Sequence, residues 1–226
     1  LVQVDHFLDL DSAAALDGDW AELVRVCPRL LWVVGGFDPE DDSSASYVLD
    51  RLDEAPFAGI GEINVEHGAG LSVDPSSPAL QTLYDELEQR GLAVHLQAVT
   101  PDSANWLAME DEAAAHPGLG VAWFGCSGLF FDDGELPNVA CTLFPFTPPG
   151  MPTDSATQER HVGRGLLGTD SAPEGFTNPA GGALPWDDFA AGITAARAYL
   201  GDLPVSDEAK QALAIGTFDR VFADRR

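Results

Sequence analysis

The sequence predicts an α/β fold built from strand–helix–strand units, either a TIM-type barrel one strand short or an open doubly wound sheet. Three observations predict it. Short apolar runs recur along the chain, most are followed by a helical pattern, and most are near-continuously apolar rather than alternating. Such runs suit parallel strands covered on both faces, and parallel neighbours need a crossover helix between them.

Taken in order, the strand-like runs are LVQVDHFL at 1–8, LLWVVGGF at 30–37, GIGEINV at 59–65, LAVHLQAV at 92–99, GVAWFG at 120–125, VACTLF at 139–144 and GRGLLGT at 163–169. Helical patterns between them cover Trp20 to Val26 and Ala45 to Leu52. A third starts at Ser77-Pro78 and places Leu80, Leu83, Tyr84 and Leu87 on one face, and a fourth runs from Thr100-Pro101 to His116. Gly91 and the Pro117-Gly118 pair end these two. The Pro- and Gly-rich stretches from Thr147 to Thr157 and from Gly175 to Leu184 read as long loops at the mouth of the fold, and the tail reads as two terminal helices with Ser206 as N-cap.

At 226 residues and 45% hydrophobic, the chain is expected to form one domain over 1–226. No run approaches the roughly 18 apolar residues that cross a bilayer, and the start lacks a signal-peptide pattern, so a cytoplasmic location is expected. The chain opens on Leu1, which leaves room for a preceding strand.

Charge narrows the partners. There are 37 Asp and Glu against 11 Lys and Arg, a formal net charge of −26. Such a surface repels phosphate, which disfavours nucleic acid and anionic membranes and leaves a small-molecule substrate as the expected partner. A homo-oligomer is compatible with the sequence. The acids are spread over the whole length, so the excess belongs to a folded surface. One hypothesis is halophilic adaptation, since molar salt cuts the Debye length to about 3 Å; the alternative is an acidic protein from a high-GC bacterium. A melting temperature that fell as KCl rose to molar concentration would rule the first out. Cys27, Cys126 and Cys141 show no CxxC spacing and are expected to be reduced.

Candidate chemistry is sought at strand ends, where a parallel barrel holds its catalytic groups. Glu62 sits inside the apolar GIGEINV run, and a buried carboxylate without a partner costs several kcal/mol or takes up a proton, so it calls for a cation or a donor cluster. His95 and Gln97 share one face of LAVHLQAV, Asp170 follows GRGLLGT, and His6 or Asp9 ends the first run. Each has a bland alternative: a hydrogen-bonded core histidine, a helix cap. Together, one imidazole and two carboxylates from separate strands suit Zn or Mn. No GxGxxG follows the first strand, and GLLGTD lacks the lysine of a phosphate-binding loop.

The order of motifs resembles the metal-dependent amidohydrolases of TIM-barrel fold. The matches are GIGEI at 59–63, LAVHLQ at 92–97, VAWFGCSG at 121–128, NVACTLF at 138–144 and GLLGTD at 165–170, followed by a similar closing segment at 197–222. The resemblance implies a (β/α)8 TIM-type barrel, and leaves two placements for the opening run: it matches the family's second strand, with the first strand missing from this chain, or it is a degraded first strand with His6, Asp9 or Asp5 as poor substitutes for the metal histidines. It also implies a hydrolase acting on a small amide, lactone or ester through a water activated by a divalent metal ion, Zn or alternatively Mn. Carried over residue by residue, His95 matches a metal histidine, Asp170 the aspartate that binds metal and takes the water's proton, and Glu62 a glutamate at or beside the metal. Trp186, Gln97 and His67 are expected to face substrate. Two departures stand out. No His-x-His pair exists among His6, His67, His95, His116 and His161, and the family's histidine in VAWFGCSG falls on Gly125, beside Cys126. A relative that has lost its metal site and serves in binding or assembly is the alternative. Trp32, Trp106 and Trp123 are expected to be structural.

Overall fold

The computed structural model describes residues 33–35, 38, 41, 44–67, 71–98, 100, 102–125, 136–143, 155–167, 194 and 197–223, with helical pieces at 17–18, 21–22 and 25–26. The elements are β1 (Val33–Val34), α1 (Ser44–Glu54), β2 (Gly59–Asn64), β3 (Glu66–His67), β4 (Leu71–Ser72), α2 (Pro78–Arg90), β5 (Ala93–Gln97), α3 (Ala104–Ala115), β6 (Gly120–Phe124), β7 (Val139–Leu143), α4 (Ser155–Arg164), β8 (Leu166–Leu167) and α5 (Asp207–Gln211). Six strands form a parallel sheet in the order β1-β2-β5-β6-β7-β8, and β3 pairs with β4 as a separate antiparallel hairpin.

That strand order decides between the two architectures. In a doubly wound sheet the chain reverses and returns to the other edge. Here every new strand adds to the same edge, as it does around a barrel.

Local chemistry fixes the helices. Ser77 caps α2 by accepting from the Leu80 amide, Pro78 stands at its first position, and Gly91 ends it in the left-handed region at φ 65°. Ser103 caps α3 through the Trp106 amide, so this helix begins three residues beyond the expected Thr100-Pro101. Ser206 caps α5 as expected, but the two expected tail helices differ in detail. Residues 207–223 are one helical run that widens into π turns at Ala212–Gly216 and Asp219–Ala223.

The two faces of the sheet pack differently. Outward, Ile60, Ile63, Val94, Leu96, Val121 and Trp123 join Leu80, Leu83, Tyr84, Leu87, Trp106 and Met109 in one buried core. Inward, Val33, Ala58, Ala93, Ala122, Ala140 and Leu166 meet Val221 and Phe222 from the closing helical run. Small side chains on the inner face leave space that Phe222 fills. A Cβ on Gly120 would lie 2.7 Å from the Val221 carbonyl, so only glycine admits this contact.

Several sequence expectations need correction. Gly163 and Arg164 of the predicted strand belong to α4, which also claims Ser155 to Thr157 from a predicted loop, because the helix turns amphipathic there; the strand shrinks to Leu166–Leu167. Cys141 is disulfide-bonded, which contradicts the expectation of reduced thiols and sits poorly with a reducing cytoplasm. Trp106 and Trp123 are buried against one another, centroids 4.5 Å apart, as structural residues should be. Trp32 and the first run, with His6 and Asp9, lie outside the described residues. Among the described residues no helix is long and apolar enough to cross a membrane.

Candidate active site

The site grows from β2 and β5. Strand alternation alone would not set Glu62 inward, because Ile60 and Ile63, three residues apart, both face the outer core. The register of β2 against β5 shifts between these isoleucines. That irregularity absorbs the extra residue, so Glu62, just before outward Ile63, and Asn64, just after it, both occupy the inner face. The two glycines of GIGE make the approach possible. Gly59 and Gly61 hold φ of 155° and 126°, and a Cβ on Gly61 would fall 2.4 Å from the His95 carbonyl oxygen and 2.8 Å from the His95 Cβ. Glu62 therefore follows a residue that lies directly against His95.

On β5, Val94 and Leu96 enter the outer core, which leaves Ala93, His95 and Gln97 on the inner face. His95 stands opposite Ala122 in the register with β6, and Ala122 in turn stands opposite Ala140. Burial pushes the His95 imidazole down to about 4. It is therefore neutral at pH 7, the form in which imidazole donates a lone pair to a metal. Gln97 pairs in register with Asn64 on one side and Phe124 on the other. Asn64 is fully buried, and Glu62, His95 and Gln97 nearly so.

This rim is braced from outside. The Val65 amide donates to the Gln97 carbonyl at 2.9 Å, the Asn105 side chain donates to the Val65 carbonyl at 3.0 Å, and the Trp123 indole donates to the Ala98 carbonyl at 3.3 Å. Asn105 lies in the first turn of α3, so the cap at Ser103 also fixes the mouth of the fold.

The structure brings Glu62, His95 and Gln97 to one face of adjacent strands. Asp170 and Trp186 lie outside the described residues, as does Cys126. His67 is described by its backbone alone, within the β3–β4 hairpin rather than the expected loop. Gly125 holds φ 90° at the end of β6 and offers no ligand. Sequence reasoning passed over Asn64, although it ends the same GIGEIN strand. It also passed over Asp17, a fully buried carboxylate that accepts from the Gly35 amide at 3.2 Å and the Tyr47 hydroxyl at 2.7 Å. Nothing in its local sequence separates Asp17 from the other surface acids.

The donor chemistry of the inner face, one neutral imidazole and one carboxylate, fits a divalent ion in kind. Among the described residues no group of three His, Cys, Asp or Glu side chains could hold one, so a third donor would have to come from elsewhere in the chain.

No protein-family model matches the sequence, and no curated protein is significantly similar to it. Solved structures are. An uncharacterized TIM-barrel protein from Bordetella bronchiseptica is 14% identical with a TM-score of 0.62 over 92% of this chain and 72% of its own. 2,6-Dihydroxybenzoate decarboxylase bound to 2,6-dihydroxybenzoate is 14% identical with a TM-score of 0.59 over 97% of this chain and 79% of its own. A Staphylococcus aureus protein assigned to the amidohydrolases is 11% identical with a TM-score of 0.57 over 94% of this chain and 80% of its own. The chain thus has the α/β fold of the TIM barrels. At these identities the likeness speaks for fold, and chemistry must be argued from the residues.

Proposed function

We propose that the protein is a metal-dependent hydrolase of amidohydrolase type that acts on a small amide, lactone or ester. The observation that supports this most is the juxtaposition of a neutral, buried imidazole with a carboxylate on the inner faces of adjacent strands, in a fold whose catalytic groups stand at the carboxyl ends of strands. His95, Glu62 and Asp170 are the residues that would hold the ion, Zn or alternatively Mn. Such an ion supplies a lowered pKa for water and a polarised substrate carbonyl. The chain's own groups do the rest. Asp170 takes the proton of the attacking water and returns it to the leaving group. Glu62 fixes the inner face of β2 beside His95, whose neutral ring needs no proton removed before it ligates. Gln97, His67 and Trp186 bind the substrate. Its −26 charge favours a small-molecule substrate over a nucleic acid or an anionic membrane.

Asp170→Asn tests this reading, because it removes the base with almost no change in volume. Hydrolysis is expected to be abolished, with melting unchanged. Full turnover in this variant would contradict the assignment. A second reading, decarboxylation on the same inner face, draws on the likeness to 2,6-dihydroxybenzoate decarboxylase. Release of CO2 from 2,6-dihydroxybenzoate, without hydrolysis of amide or ester substrates, would favour it.

A further inference from the structure

Asp17 carries a fully buried carboxylate on the outer side of the sheet, where Ala21, four residues on, enters the outer core. Burying a carboxylate is costly unless donors replace the water it loses. Two donors do so here, and they come from different elements. The amide of Gly35, the first residue past β1, donates to one oxygen at 3.2 Å, and the hydroxyl of Tyr47, on α1, donates to the other at 2.7 Å. Burial, and after it the bond to Asp17, raises the Tyr47 hydroxyl above its ordinary value, so Tyr47 stays a donor. The Arg51 guanidinium covers the Tyr47 ring at 5.6 Å from its centroid and pairs with Glu54 at 2.6 Å.

The amide that Asp17 takes stands at a break in the sheet. Val33 and Val34 pair with Gly59 and Ile60, and the β1–β2 ladder ends there. One further rung would set Gly35 beside Gly61, the residue before Glu62. On the other side of β2, the register against β5 shifts between Ile60 and Ile63. Gly61 and Glu62 therefore stand where regular pairing is interrupted on both sides of their strand. The Asp17 carboxylate holds the strand end on one side of them, and His95 lies close on the other, where a Cβ on Gly61 would come within 2.8 Å of its own Cβ.

We propose that Asp17 is a positioning residue for the candidate site: by taking the Gly35 amide it ends the β1–β2 ladder at Ile60 and leaves β2 room for the irregularity that turns Glu62 inward. This rests on the hydrolase reading and deepens it, because it names what sets the direction of a carboxylate that would hold the ion. A Gly35 amide without this acceptor would take a carbonyl of β2 and extend the regular ladder. Regular alternation from outward Ile60 puts Gly61 inward and Glu62 outward, away from His95. Tyr47 holds the second carboxylate oxygen, which keeps the first aimed at Gly35.

The test uses the full chain as wild type, as Asp17→Asn, which replaces one acceptor oxygen by a donor at the same volume, and as Leu87→Ala, which cuts the outer core elsewhere. NMR reads the proton–proton contact between Gly61 and His95, and chelator competition reads Zn affinity. Asp17→Asn is expected to lose that contact and to bind Zn about tenfold more weakly. Leu87→Ala is expected to melt at a lower temperature with contact and affinity as in wild type. A Gly61–His95 contact retained in Asp17→Asn overturns the proposal, as does unaltered Zn affinity in that variant of a Zn-binding protein. Equal losses in Leu87→Ala overturn it too, because they would follow from lower stability alone. Where Asp17→Asn folds poorly, Tyr47→Phe, which keeps the carboxylate and removes one donor, is expected to show the same changes at smaller size, and their absence overturns the proposal. A wild-type protein that binds no Zn defeats the hydrolase reading alone, and the Gly61–His95 contact then decides this inference by itself.

Discussion

The two faces of β5 divide the molecule's work. Outward, Val94 and Leu96 are buried among Leu80, Leu83, Leu87 and other apolar side chains of the helical shell. Inward, one residue away in each case, stand Ala93, His95 and Gln97, of which the last two are polar, buried and grouped with Glu62 and Asn64. Burial is similar on both faces, but the groups buried are of different kinds. An apolar side chain gains by leaving water, whereas a buried imidazole or carboxamide loses solvation and must recover it from a partner. The outer face holds the fold through apolar burial, and the inner face carries the buried polar groups.

Breaking the outer face should have the largest effect on stability. Trp123 is fully buried and packed on Trp106. Trp123→Ala is expected to lower the unfolding free energy by about 3–5 kcal/mol in denaturant titration, and a loss below 1 kcal/mol would mean that this face is not the main store of stability.

The inner face should reveal itself through pH. His95 has a folded-state value of about 4 against 6.5 for the exposed side chain. Between these values the unfolded chain binds a proton that the folded chain does not, so stability of the metal-free protein falls as pH drops from 6.5 toward 4 and is fully present above 6.5. The total is about 3 kcal/mol. Unfolding titrations across that window in EDTA should show the decline for wild type and a shallower one for His95→Phe. Equal slopes would remove His95 as the cause.

A smaller effect sharpens the link between the two faces. Ser103→Ala removes the cap of α3 and should cost about 1 kcal/mol. Because Asn105 in the same turn holds the Val65 carbonyl, amide exchange at Val65 should quicken as well. Unaltered exchange there would separate the cap from the rim.

Much of the frame was legible in the chain. Continuous apolar runs announced β2, β5, β6 and β7, and the Ser77-Pro78 start and Gly91 stop of α2 stand where their chemistry placed them. Alternation in LAVHLQAV put His95 and Gln97 together, and the inward position of both follows from Val94 and Leu96 facing out. Glu62 could be flagged as a misplaced charge, but its direction depends on a register shift that only a neighbouring strand reveals. The β3–β4 hairpin escaped notice because strands of two residues carry no period to read. Asp17 escaped because its partners, Gly35 and Tyr47, are distant in sequence, and the Cys141 disulfide because spacing alone does not specify pairing.

The central claim is that the inner faces of β2 and β5 help to hold a divalent ion, and metal analysis with thermal denaturation tests it most directly. The wild-type protein, stripped with chelator and reloaded, should take up about one Zn or Mn per chain and melt at a higher temperature, while His95→Ala and Glu62→Gln should each lose most of that uptake and shift. Wild-type protein that takes up no ion and gains no stability, or a His95→Ala variant that binds metal as well as wild type, would contradict it.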